Sequence, residues 1–355
     1  MAPTDTKVIS CGNFSSLDNF YLSIGTVNYK SEKQNLEEII LDCTLIARNK
    51  NIRISVLTAL LSFSAWLKKQ HSIIPKIKLG DDLSVFQFLK DCNFYMVSKE
   101  EEIIDWKKYE INEPHYIIQQ RNINCKIISF KRFDRLSNLQ VNYAKTVEAK
   151  NYLQSEIRVK IFDEFSNIIT KSDSSDKKIV SQLLTQVITE YVINSLIHGK
   201  SNSFLAIQMS RWGISVCISD SGIGILKSLQ ENYNSEWVSR VKLNNDLDAI
   251  LNASLKQNID IGLKEAIQSI ISYGGYTQIS SGNAEIVWGE EIWRDSLDEF
   301  SYENYQTILQ SHKTIFQKYK VGIPFGDNMV VKGGFQQFKN SIEGTRIFFE
   351  IPFNY

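Results

Sequence analysis

ITEYVINSLIHGKSNS, from Ile188 to Ser203, decides how this chain is read. Its apolar residues, with Leu183, Leu184 and Val187 just before it, cover much of a helical cylinder. Yet Gln186, Glu190, Asn194 and His198 recur at every fourth position, and residues four apart stack on one helical face. An amide, an acid, a second amide and an imidazole thus form a single polar ridge. Such a ridge either faces solvent or lines a pocket.

The sequence beyond the helix bears on that choice. SFLAIQMS (Ser203–Ser210) and GISVCISD (Gly213–Asp220) flank Arg211 and Trp212 as the strands of a hairpin. Ile214, Val216 and Ile218 alternate with Ser215, Cys217 and Ser219, which predicts one core face and one less tightly covered face. The second strand runs into DSGIGI (Asp220–Ile225). Glycines one residue apart suit either a plain tight turn or a close backbone approach to a ligand. An acid at the strand end can accept a hydrogen bond from an amine-bearing ring.

Gly262 opens an amphipathic helix, Leu263–Tyr273, whose N-terminus offers free N–H groups to a phosphate. Gly274 and Gly275 end it. TQISSG and AEIVW follow as two strands, and EGTRIFFEIP (Glu343–Pro352) is a last strand entered through Gly344 and Thr345.

In this order the motifs resemble the GHKL nucleotide-binding superfamily of gyrases, heat-shock chaperone ATPases, histidine kinases and mismatch-repair ATPases. EYVINSLIHG is most similar to the anti-sigma-factor serine kinases. The resemblance covers about residues 178–352. It implies ATP and Mg²⁺ as ligands. Asn194 would hold Mg²⁺ through its side-chain oxygen, with phosphates and water completing the shell. Glu190 would orient or deprotonate the nucleophile. Asp220 would accept from the adenine amine, Gly222 and Gly224 would admit the base and sugar, Gly262 would lie by the phosphates, and Thr345 would support the adenine end. His198 either contacts phosphate or simply ends the helix, and Gln186 reads as a surface amide.

Two departures stand out. Leu226–Asp260 contains no glycine, and only Gly262 remains where members of the resembled family carry several, so a lid there is expected to close poorly over the γ-phosphate or only when a partner docks, which puts turnover in question more than binding. Residues 289–342 form an insertion, with SYENYQTILQSHKTIFQKY reading as helical, either a partner-binding element or a solvated cap.

The first half alternates strand and helix signals. Strands are expected at Glu37–Cys43, Lys76–Gly80 and Phe94–Val97, an amphipathic helix at Ile54–Lys69 and a further helix at Asp81–Asp91. This order resembles a STAS-like fold, a family that supplies the substrates of anti-sigma serine kinases. Ser55 stands where a phosphorylatable serine lies in that family, or is an ordinary first-turn serine. CKIISFKR (Cys125–Arg132) reads as a further strand, Val147–Ile169 as a long helix, and Lys171–Lys178 as a linker.

The expected fold class is therefore α/β (α+β). A Bergerat-type α/β sandwich with a mixed sheet spans 178–355, with its insertion at 289–342. A STAS-like α/β domain spans 1–100, and 101–177 connects the two.

Composition excludes several classes. Forty basic residues balance forty acidic ones, so no global field attracts nucleic acid. No long apolar run predicts a membrane span, the N-terminus does not read as a signal peptide, and scattered cysteines read as reduced thiols of a cytoplasmic protein. The upstream histidines, His71 and His115, lie outside the long helix, against a histidine-kinase phosphoacceptor. The chain's last strand ends near Tyr355, so no transducer domain of the topoisomerase type is expected after it. Two functions remain: an ATPase or serine/threonine kinase with Glu190 as base, or a nucleotide-sensing module with little hydrolysis. The expected partners are ATP and a protein, of STAS type or in cis, with a homodimer among the assemblies considered.

Overall fold

The computed structural model describes residues 5–11, 36–44, 54–80, 83–110, 124–132, 151, 153–164, 175–210, 213–232, 243–255, 262–290, 293 and 334–353. The helical stretch expected within the insertion lies outside these residues.

Two sheets organise the chain. The first joins β1 (Asp5–Ser10), β2 (Leu36–Asp42) and β3 (Lys76–Lys78), all parallel. The second has the order β4-β5-β6-β8-β7, from β4 (Cys125–Phe130), β5 (Ser203–Met209), β6 (Gly213–Asp220), β7 (Tyr276–Trp288) and β8 (Gly334–Pro352). The chain is thus mixed α/β. The mixed character lies between the sheets, however, because every pairing in the second sheet is antiparallel. The close β5–β6 connection explains part of this, since a tight turn joins only antiparallel neighbours.

Helices α1 (Ile54–His71), α2 (Leu83–Asp91), α3 (Phe94–Glu100) and α4 (Lys107–Glu110) accompany the first sheet. Helix α5 spans 153–164 and α6 spans Ser175–Ile197. Then come α7 (Gly224–Asn232), α8 (Asp246–Leu255) and α9 (Leu263–Ser272).

One face of the second sheet packs its Leu205, Ile207, Val216, Ile218, Ile279, Ile347 and Phe349 against α6, α8 and α9. The other face carries Cys125, Ile127, Phe204, Ala206 and Cys217 into a cluster with α1 and β1–β3. Cys217 and Ser219, expected on a loosely covered face, are 1% and 0% exposed. Helix α1 is the cover. Its residues from Ile54 to Ser64 are all buried, so it is enclosed rather than amphipathic. The Thr58 hydroxyl meets the Cys217 sulfur at 3.0 Å, and the Ser219 hydroxyl donates to the Thr58 carbonyl at 2.7 Å. Both faces of the sheet are thus covered at β5, which accounts for the apolar run FLAI within it.

Several expectations are corrected. FYMV is not a strand but the start of α3. Asn93 takes a left-handed φ of 68° and redirects the chain, and Phe94, Tyr95, Val97 and Ser98 are buried at helical spacing while Met96 is exposed. A short apolar run does not by itself distinguish helix from strand. The end of the Lys171–Lys178 linker is helix, since α6 already begins at Ser175; serine and aspartate favour helix starts as much as turns. TQISSG and AEIVW are one strand. Gly282, with φ 59°, makes an irregularity in the β7–β8 ladder rather than a turn. Ser55 is buried at 7% exposure, so its hydroxyl is packed inside rather than presented for modification.

Among the described residues no helix is long and apolar enough to cross a membrane.

Candidate functional site

Helix α6 solves a local problem before it offers a site. It carries Thr185, Thr189 and Ser195 on buried positions. Each hydroxyl donates to the carbonyl four residues earlier, of Ser181, Thr185 and Tyr191, at 2.8, 2.6 and 3.1 Å. Buried hydroxyls are thereby satisfied without leaving the helix. The polar ridge runs from an exposed Gln186 to half-buried Glu190, Asn194 and His198.

The far end of that ridge opens on a cavity of about 520 Å³, counted out to its mouth. Asn194, His198, Asp220, Gly224 and Thr345 line it together, with Tyr191, Ser195, Ser228, Leu229, Leu263 and Ile347 among the rest of the wall. Its wall is mostly apolar with a few convergent polar groups, the make-up of small-molecule sites.

The loop after β6 is fastened tightly. Asp220 Oδ1 accepts the backbone N–H of Gly222 at 2.8 Å and of Thr345 at 3.2 Å. Ser221 N–H donates to the Ser201 hydroxyl, Ile223 N–H to the Gly199 carbonyl and Ile225 N–H to the Ser281 hydroxyl. Gly222 passes so close to Gly199 that a Cβ there would lie 1.9 Å from the Gly199 carbonyl oxygen. The end of α6 and the end of β6 are therefore pinned backbone to backbone. Gly344, at φ 94°, approaches the Asp220 carbonyl in the same manner.

Asp220 is 1% exposed. Burial pushes its carboxyl up to about 6, against the opposing pull of the Gly222 and Thr345 amides, the Arg346 charge and the Ser195 hydroxyl. Arg346 is itself buried, on β8 opposite Ser219.

Three of the residues singled out in the sequence stand apart from the cavity wall. Glu190 and Gly262 are beside each other, a Cβ on Gly262 falling 3.3 Å from Glu190 Oε2. Glu190 Oε1 accepts from the Gln154 amide at 3.0 Å, so α5 reaches onto the ridge. Gly222 supports the wall from behind. Sequence reading missed Tyr191, Ser195, Ser228, Gln154 and Arg346. A lone arginine inside the apolar strand RIFFEI was the one signal available for the last.

Among the described residues no cluster of three or more His, Cys, Asp or Glu could hold a metal ion. No protein-family model, curated protein or solved structure matches this chain.

Proposed function

We propose that this chain is a Mg-ATP-binding signalling protein with the phosphoryl-transfer residues of an ATPase or a serine/threonine kinase, of the GHKL type that the motif order resembles. One observation carries the reading. A buried carboxylate at the end of a central strand, Asp220, and a helical amide, Asn194, line a single cavity.

The donor set fits the ligand. Asp220 would supply an acceptor for a purine amine, and Thr345, whose backbone N–H bonds Asp220, lines the cavity with it. Asn194 offers one hard oxygen, and Mg²⁺ takes most of its ligands from phosphate and water. When bound, Mg²⁺ would neutralise charge on the phosphates. Glu190, one turn before Asn194 and beside the start of α9, would orient a hydroxyl or water at the phosphate end, its carboxylate accepting from Gln154.

A second reading is favoured by a specific observation. Glu190 is not part of the cavity wall, and the back of β6 is bonded to α1. A nucleotide sensor with little hydrolysis, reporting occupancy to the first half of the chain, accords with both. In either reading the fold of the second half corresponds to the Bergerat type and that of the first to a STAS-like unit.

Isothermal titration with ATP and Mg²⁺ tests the pocket, on the wild-type chain and on Asp220→Asn. The substitution keeps an oxygen for the two backbone amides while removing the negative acceptor. The reading requires wild-type binding and a loss of about tenfold or more in the variant. Equal affinities would sink it. Measured ADP release then separates enzyme from sensor.

A further inference from the structure

Tyr191 lies on α6 one turn before Asn194 and Ser195, and lines the same cavity as Asp220. Its side chain is fully buried, and its hydroxyl has no hydrogen-bond partner among the described residues. The ring leans on Phe349 of β8, with centroids 6.1 Å apart. The other buried hydroxyls nearby on this helix bond back to the carbonyl one turn earlier. A phenol cannot do so, because its oxygen stands at the far end of a rigid ring. Burial holds the phenol above its usual ionisation range, so the group remains an O–H donor at any ordinary pH.

A hydroxyl taken from water with nothing to bond is a standing cost, and phenylalanine would fill the same space without it. The chain nevertheless has tyrosine there. The remaining polar groups of the cavity give the missing partner its chemistry. Asp220 is an acceptor, suited to a ring's amine. A ligand that offers an amine to Asp220 and a lone pair to a donor across the cavity satisfies both walls. Purines carry both features on one rigid plane.

We propose that Tyr191 is a specificity-determining donor of this pocket, its hydroxyl bonding a ring nitrogen at the buried end of the purine. The inference rests on the nucleotide reading above and extends it from binding to base discrimination. A site built to hydrogen-bond one atom rejects analogues that lack it far more strongly than an apolar wall could.

The experiment is a nitrogen scan by isothermal titration with Mg²⁺ at pH 7.5. ATP is compared with its 1-deaza, 3-deaza and 7-deaza analogues, each replacing one ring nitrogen by C–H, on the wild-type chain and on Tyr191→Phe. In the wild type one analogue is expected to bind about tenfold or more weakly than ATP. In Tyr191→Phe, ATP falls by a similar factor, the gap to that analogue closes, and the ligand-free protein melts no lower than wild type. Wild type that binds ATP and all three analogues equally overturns the proposal without any variant. So does a Tyr191→Phe protein that keeps wild-type ATP affinity, which would make the phenol a core residue or a water's partner. A wild-type chain that binds ATP in the first place keeps the pocket reading alive in both of those cases. A wild-type chain that binds no purine nucleotide overturns the pocket reading and this inference together.

Discussion

The Ser219 hydroxyl donates to the carbonyl of Thr58 at 2.7 Å across 161 residues of sequence, one position before the cavity's buried acid. The first half of the chain therefore holds the strand that ends in Asp220. Leu61, on the same helix and fully buried, makes this testable. Leu61→Ala should cost about 2–5 kcal/mol of stability. Because one apolar cluster spans α1, β1–β3 and the back of β5 and β6, both halves should lose structure in the same transition. Hydrogen exchange in β6 and near-UV circular dichroism would follow it. Loss of the first half alone, with β6 protection unchanged, would contradict the shared core.

The raised carboxyl of Asp220 gives ligand binding a pH signature. Its value of about 6 means that the ionised acceptor is lost as pH falls below that point. Affinity for an amine-donating base should drop about tenfold per unit below pH 6, as the competent fraction shrinks. Titrations between pH 5 and pH 8 would show it, and Asp220→Asn should flatten the profile.

Stability without ligand should run the opposite way. A folded-state value above the unfolded one means that the native chain holds its proton more tightly. Below the ordinary aspartate range the group contributes nothing to the pH dependence. As pH rises from about 4 to about 6, Asp220 should withdraw roughly 3 kcal/mol, a rough figure for a shift of this size. Denaturant melts of wild type and Asp220→Asn across that window should converge at low pH and separate in favour of the variant at neutral pH.

Gly222→Ala tests the pinned backbones. A methyl group cannot occupy the space now held by the Gly199 carbonyl, so α6 and β6 must part. The cost should be about 3 kcal/mol, at the upper end for mutations that force backbone movement. Nucleotide binding should fall with it. A variant with wild-type melting would show that the loop has room the structure does not display.

Gln154→Leu separates orientation from binding. The amide touches Glu190 and is not part of the cavity wall. If Glu190 acts on a nucleophile, the variant should lower kcat about tenfold and leave the nucleotide Kd unchanged. Equal turnover in both proteins would remove Gln154 from the catalytic arrangement.

Much of the second half was legible because its signals are local. Alternation along GISVCISD, the spacing of Glu190, Asn194 and His198, and glycines at both ends of α9 each act within a few residues. What escaped depends on partners far away in sequence. The serine and cysteine face of β6 looked half-solvated because its cover, α1, lies some 160 residues earlier. The same helix read as amphipathic because nothing in its own sequence announces two neighbours. Tyr191 looked like one more core aromatic, and only the position of Phe349 and the cavity distinguishes it. Gly282 and Asn283 looked like a turn. The Asp246 carboxylate, which accepts the Asn283 N–H at 3.1 Å, sits where any side chain on Gly282 would point.

The order of the second sheet carries a consequence for biogenesis. β8 is the last strand to be synthesised among those described, yet it lies between β6 and β7. Until it emerges from the ribosome, β6 presents an open ladder and the Asp220 loop lacks its Thr345 tether. A nascent chain of this protein therefore needs protection from edge-to-edge association until β8 has been made.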